Sequence, residues 1–168
     1  MKWNLSKIKM LAMDVDGTLT DGKIYIADNG VEMKAFSTKD GLGMQLLNKY
    51  DVMPVVITGR TSDIVRNRCT ELGIHVLFQG VHNKEKKLRE LMKVYELKAE
   101  EVAYIGDDMN DLGAMKLAGV TFAPADCAEQ LLPYVDIHLT KKAGDSPVRE
   151  AIDMILEDRL KDEDYEGL

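Results

Sequence analysis

The run "MLAMDVDGTLTDG", residues 10–22, decides the fold. A short apolar segment breaks into Asp14, Asp16 and Asp21, separated by little but glycine and threonine. Carboxylates repel one another and resist burial. Asp14 and Asp16 nevertheless stand two residues apart at the end of what reads as a buried strand. A continuous apolar strand of this kind suits a parallel sheet covered on both faces.

Further runs of the same type follow: "MPVVIT" (53–58), "IHVLFQG" (74–80), "VAYIGDD" (102–108), "VTFAPA" (120–125) and "DIHLT" (136–140). The segments between them read as helices. "GLGMQLLNKY" (41–50) places Leu42, Leu46 and Leu47 on one face, and "TSDIVRNRCTELG" (61–73) ends on Gly73 as a C-cap. "NKEKKLRELMKVYEL" (83–97) takes Asn83 as its N-cap, and "NDLGAMKLAG" (110–119) again ends in glycine. "DSPVREAIDMILEDRL" (145–160) opens with Ser146 as N-cap and Pro147 at the first helical position. Strand–helix alternation predicts βαβ crossovers and a doubly wound α/β sheet. One stretch interrupts it. "KIYIADNGVEMKAF" (23–36) has period-two patterning around Asn29-Gly30, the signature of a β-hairpin. The acidic tail at 157–168 reads as a frayed, solvated terminus.

The totals limit the function. The 168 residues suit one domain with a single core, here taken as 1–168. A net charge of −7 argues against general affinity for nucleic acid or anionic membrane. An anionic substrate would therefore need a local cation. Cys69 and Cys127 lack metal-ligand spacing and read as reduced thiols. The N-terminus has no long apolar region, and no stretch approaches the ~18 apolar residues of a membrane span, so a cytoplasmic protein is expected.

In open α/β sheets ligands bind at the carboxyl ends of the strands, and the polar outliers gather there. Asp14 and Asp16 follow the first strand. Thr58, Gly59 and Arg60 follow the second. Lys84 opens the helix after the third, and Asp107, Asp108 and Asp111 follow the fourth. Oxygen-only ligands without His or Cys suit Mg²⁺, which also relieves carboxylate repulsion. Thr58 offers a hydroxyl and an anion cradle, and Lys84 a compact positive charge for a phosphoryl oxygen. Around an aspartate, these form a phosphoryl-transfer constellation. One aspartate can be a covalent nucleophile. A second, two residues on, can protonate the leaving alkoxide and later deprotonate water. Singly, each residue has a plainer reading: Asp16-Gly17 a turn, Thr58 a cap, Lys84 a solvated lysine, the 107–111 acids a capping cluster. Their common placement on one sheet edge argues for a site.

"DVDGTLTDG", "VVITGR", Lys84 in "QGVHNKEKKL" and "YIGDDMND" together resemble the four motifs of the haloacid dehalogenase superfamily, in order, over residues 8 to about 155. The resemblance implies Asp14 as nucleophile, Asp16 as general acid/base, and Thr58 and Lys84 as phosphate ligands. It implies Mg²⁺ held by Asp14, the Asp16 carbonyl and Asp107, with Asp108 and Asp111 in the first or next coordination layer. Only 42 residues separate Asp16 from Thr58 and 26 separate Thr58 from Lys84, which leaves no room for a cap domain. An uncapped site is open to water, so a neighbouring subunit is the simplest cover. The hairpin, "FSTKDGLGM", "ITGR", "RCTELGI" and "PVREAIDMIL" resemble the 3-deoxy-D-manno-octulosonate 8-phosphate phosphatases, capless homotetramers whose hairpins assemble together. That resemblance implies a sugar acid phosphate as substrate. It also assigns Arg60 and Lys39 to the substrate's acidic or phosphate groups; an ion pair with a nearby aspartate is the plainer role for Arg60. One stretch departs from the pattern. Where that family has Gly-Gly-Arg-Gly, this chain has Ala143-Gly144-Asp145-Ser146, so an acid replaces an arginine. A nine-carbon, sialic-acid-like keto-deoxy phosphate or another small phosphomonoester is the alternative substrate. A signalling receiver is a different class of reading, but Asp16 favours hydrolysis of an aspartyl-phosphate over its retention. The intact acidic and basic set argues against a non-catalytic scaffold.

Overall fold

The computed structural model of the chain describes residues 3–165. The first strand, β1, is Met10–Met13, and a two-stranded hairpin follows, β2 Tyr25–Ile26 and β3 Glu32–Met33. Then come α1 Thr38–Lys49, β4 Met53–Ile57, α2 Asp63–Glu71, β5 Val76–Phe78, α3 Lys84–Val94 and β6 Val102–Ile105. The chain continues through α4 Leu112–Met115, β7 Val120–Ala123, β8 Ile137–His138 and α5 Pro147–Leu156. Six parallel strands form one sheet in the order β5-β4-β1-β6-β7-β8. This is the doubly wound α/β fold that the apolar runs predict, with the hairpin as a separate small sheet and no cap domain among the described residues.

Alternation along β1 shows why the central strands are apolar. Met10 and Ala12 pack in one buried layer with Leu88 and Leu91 of α3 and Met115 of α4. Leu11 and Met13 pack in the other with Leu46 and Leu47 of α1, Val65 of α2 and Ile152 of α5. Successive side chains point to opposite faces, so a strand covered on both sides has no polar position to spare. The direction of winding reverses at β1, whose neighbours are β4 and β6. A crevice therefore opens at the carboxyl end of β1.

Several local expectations change. Helix α1 begins at Thr38 rather than 41, because the Ser37 hydroxyl accepts hydrogen bonds from the Lys39 and Asp40 amides. The 110–119 helix shortens to a 3-10 turn at Met109–Asp111 and the four residues of α4. Ser146 occupies the cap position of α5 but sits in the left-handed region (φ 69°) and makes no capping bond. Asp40 of α1 takes its place: its Oδ1 accepts from the Arg149 amide at 2.6 Å. The tail is not frayed as far as Tyr165. Residues 162–165 form a 3-10 turn, and Asp164 is buried against Tyr50 and against Lys49 at 2.7 Å. Residues 166–168 of that tail lie outside the described residues. Asn83 caps α3 as expected, and Gly30 turns the hairpin at φ 79°. No described helix is long and apolar enough to cross a membrane.

Candidate active site

The site grows from the ends of β1 and β6. Beyond β1 the chain leaves the sheet at Asp14, whose amide still donates to the Ile105 carbonyl at 3.1 Å. Residues 15–20 coil back, with the Thr18 and Thr20 amides donating to the Val15 carbonyl. Gly17 makes this coil possible in two ways. It sits at φ 92°, and a Cβ there would meet Asp107 Oδ2 at 2.1 Å. Asp107 is thereby brought against the first loop, where the Thr18 hydroxyl donates to its Oδ1 at 3.3 Å.

Asp14, Asp107 and Asp111 each direct a carboxylate oxygen into one space, these atoms lying within 4.8 Å of one another. Lys84, buried at the start of α3, bridges two of them: its Nζ is 2.9 Å from Asp14 Oδ1 and 2.7 Å from Asp111 Oδ1. Three carboxylates thus face one ammonium. Burial, reinforced by the Asp111 charge and opposed by Lys84, pushes the Asp14 carboxyl up to about 6. Burial, then Asp111 and Asp14, pushes Asp107 up to about 7. Burial alone would lower the Lys84 ammonium, but Asp111 and Asp14 outweigh it and raise it. The surplus of negative charge asks for a cation. Asp14 Oδ1 is buried and makes no hydrogen bond of good geometry, since Lys84 approaches it off the bonding direction. An oxygen-only donor set in which three carboxylates share one ammonium fits a hard divalent ion held by Asp14 and Asp107.

Asp111 has another task. Its carboxylate accepts from Lys84, from the Tyr104 hydroxyl at 2.7 Å and from the Asp107 amide at 3.1 Å. It therefore anchors both Lys84 and the 107–111 loop. Gly106 leaves room for it, since a Cβ there would lie 2.4 Å from Asp111 Cγ. Asp108 is exposed and caps the Met109–Asp111 turn, accepting from the Met109 amide at 2.6 Å. Thr58 is buried just past β4, its amide donating to Phe78 and its carbonyl accepting from Val81. Gly59 follows it in the loop, where a Cβ would touch only Val81 O at 3.8 Å.

Asp16 faces the hairpin instead of the acidic cluster. Lys34 Nζ donates to its Oδ1, and Arg60 Nε lies 4.0 Å from its Oδ2. Arg60 Nη2 also pairs with Glu32 at 3.2 Å, so the ion-pair reading of Arg60 describes its position here. Lys39 is not gathered with this group. It lines a separate cavity of about 1020 Å³ with Thr140, Lys141, Asp145 and Arg149. Sequence reasoning missed Thr18, Tyr104, Glu32 and Lys34. The first two are an uncharged loop residue and a strand residue with no distinguishing pattern. Glu32 and Lys34 carried one signal, a pair of opposite charges at i and i+2 of an extended segment.

A family model of haloacid dehalogenase-like hydrolases matches residues 75–152. The chain is 41% identical to the 3-deoxy-D-manno-octulosonate 8-phosphate phosphatase of Haemophilus influenzae, over 94% of this chain and 87% of that protein. It is 40% identical to the phosphatase of the same name from Escherichia coli K12, over 89% and 79%. A crystal structure of the Moraxella catarrhalis 3-deoxy-D-manno-octulosonate 8-phosphate phosphatase, in complex with magnesium, phosphate and KDO, superposes with a TM-score of 0.88 at 40% identity, covering 91% of this chain and 88% of that one.

Proposed function

The chain belongs to the haloacid dehalogenase-like hydrolases, in the family of the 3-deoxy-D-manno-octulosonate 8-phosphate phosphatases, and on that premise we propose that it hydrolyses 3-deoxy-D-manno-octulosonate 8-phosphate. The observation that carries this reading is the convergence of Asp14, Asp107 and Asp111 on Lys84 at the carboxyl end of β1. Asp14 and Asp107, with the Asp16 carbonyl, would hold Mg²⁺. Bound there, Mg²⁺ would supply charge neutralisation for the transferring phosphoryl group.

The chain's own residues supply the covalent chemistry. An Asp14 carboxylate oxygen attacks phosphorus, the P–O bond to the sugar breaks, and the leaving oxygen takes a proton from Asp16. Asp16 then accepts a proton from water as that water attacks phosphorus. The P–O bond to Asp14 breaks, releasing phosphate and restoring both aspartates. Thr58, Gly59 and Lys84 bind phosphoryl oxygens; Arg60, which would have to leave Glu32, and Lys39, which lines the neighbouring cavity beside Asp145, are the cations left for the sugar acid's charged groups. The site is one hydrolase domain, 1–168, without a cap. Five hairpin residues, Ile24, Tyr25, Ile26, Val31 and Met33, are exposed apolar side chains, which supports assembly through the hairpins; the homotetramer and a cytoplasmic location are carried by the family resemblance alone.

A nine-carbon keto-deoxy 9-phosphate is the second reading, favoured by one loop. Gly144 packs on the backbone of Thr20 and Asp21, and its amide donates to the Thr18 carbonyl at 3.3 Å. The 143–146 segment therefore borders the catalytic loop with Asp145 in place of an arginine. A kcat/KM screen of sugar acid phosphates, with and without EDTA, tests both. Turnover of the eight-carbon substrate that EDTA abolishes and Mg²⁺ restores is expected. Activity that persists in chelator, or a clear preference for another substrate, overturns the first reading.

A further inference from the structure

The hairpin of a capless enzyme invites a purely architectural reading, but its third and fourth charged residues, Glu32 and Lys34, reach the chemistry of their own subunit. Glu32 ends a strand pair at its register with Ile26, and Lys34 follows two residues later on the same side of the extended chain. Lys34 Nζ donates to Asp16 Oδ1 and lies 3.3 Å from Glu32 Oε1. Glu32 in turn pairs with Arg60. The two cations flanking Asp16 are unequal. The Lys34 side chain is 1% exposed, whereas that of Arg60 is 50% exposed and 4.0 Å from Asp16. A buried ammonium stays with its carboxylate because leaving it would strand a desolvated charge. An exposed pair at that distance is weak.

The backbone at Asp16 is already fixed by Gly17 and by the turn of Thr18 and Thr20 onto Val15. The hydrogen bond from Lys34 is the one that the Asp16 side chain makes among the described residues. Its orientation thus depends on a residue eighteen positions away, carried by the hairpin.

We propose that Lys34 is a positioning residue, which, anchored by Glu32 and by burial, holds the Asp16 carboxylate in the orientation from which it deprotonates the water that hydrolyses the aspartyl-phosphate. This rests on the phosphatase reading above. The hairpin then serves catalysis in its own subunit, whatever it contributes to assembly.

Burst kinetics with p-nitrophenyl phosphate separate the two half-reactions, since p-nitrophenolate departs without needing a proton. In Lys34→Met, formation of the phosphoryl-enzyme should be nearly unchanged while its breakdown slows. Misplacing a base commonly costs about tenfold to a hundredfold. The ratio of burst rate to steady-state rate should therefore rise by about tenfold or more, with kcat and KM falling together and kcat/KM little changed. Lys34→Arg, which keeps a donor and the charge, should recover part of the loss. If Lys34→Met fails to fold by circular dichroism, Lys34→Arg carries the test with a smaller rise of the same sign. An unchanged ratio, a raised KM with kcat kept, or equal loss of burst and steady state in a folded variant overturns the assignment. A wild-type protein that releases no p-nitrophenolate overturns the phosphatase reading instead.

Discussion

At the scale of single residues, the site depends on close approaches that a Cβ or a lost charge would spoil. Asp14→Asn removes the attacking oxygen while keeping the shape of the side chain. Turnover should be abolished with the fold intact by circular dichroism, and residual wild-type activity would refute the nucleophile. Gly17→Ala is the sharper probe of metal binding. It places a methyl group 2.1 Å from the present position of Asp107 Oδ2, at a φ that alanine rarely adopts. Asp107 must move, so calorimetric titration with Mg²⁺ should show affinity weakened by about tenfold or more, the usual scale of a disturbed ligand support. The motif residues Asp14, Thr58 and Asp107 were legible because each follows an apolar strand end with a charge or hydroxyl, and Lys84 because it opens the helix after the third apolar run. Thr18 and Tyr104 were not, because a hydroxyl in a loop or on a strand is common and only its partner gives it a role.

At the scale of elements, the junction of α1 with α5 shows how one helix completes another. Asp40 is buried, and its Oδ1 accepts the Arg149 amide at the first turn of α5 while Oδ2 has no partner. The Ser37 and Ser146 hydroxyls meet beside it at 2.8 Å. Burial pushes the Asp40 carboxyl up to about 7 against the lowering effect of the Arg149 amide and charge. The folded state therefore takes up a proton that the unfolded chain releases near 3.8, and this group's contribution to stability falls as pH rises from about 4 to about 7. Asp40→Ala should lower stability by about 1–2 kcal/mol in urea titrations, the usual cost of a lost cap. Asp40→Asn keeps an acceptor without the charge, so it should flatten the pH dependence in that window. A slope unchanged in Asp40→Asn would assign it elsewhere. The sequence names Ser146 as the cap by position alone. Its left-handed φ and its bond to Ser37 are settled by the packing of α1 on α5.

At the scale of the whole molecule, the exposed apolar hairpin and the open site are two sides of one arrangement. Ile26 is 67% exposed and Met33 54%, side chains that a partner's hairpin would cover. Sedimentation should give a tetramer for the wild type and a smaller species for Ile26→Glu. A wild-type monomer would remove the neighbour from the account of substrate selection. The doubly wound class of the sheet, the absence of a cap and the edge on which the acids gather were readable from the sequence, because apolar runs, turn residues and spacing are local properties; the strand order β5-β4-β1-β6-β7-β8 came from the tertiary structure. Which charges pair was decided only by the tertiary structure. Lys34 meets Asp16, Asp40 meets α5, Asp164 meets Lys49 and Lys39 stands apart from the aspartates. Side-chain pairing over tens of residues follows from the packing of distant elements, which no short stretch of sequence contains.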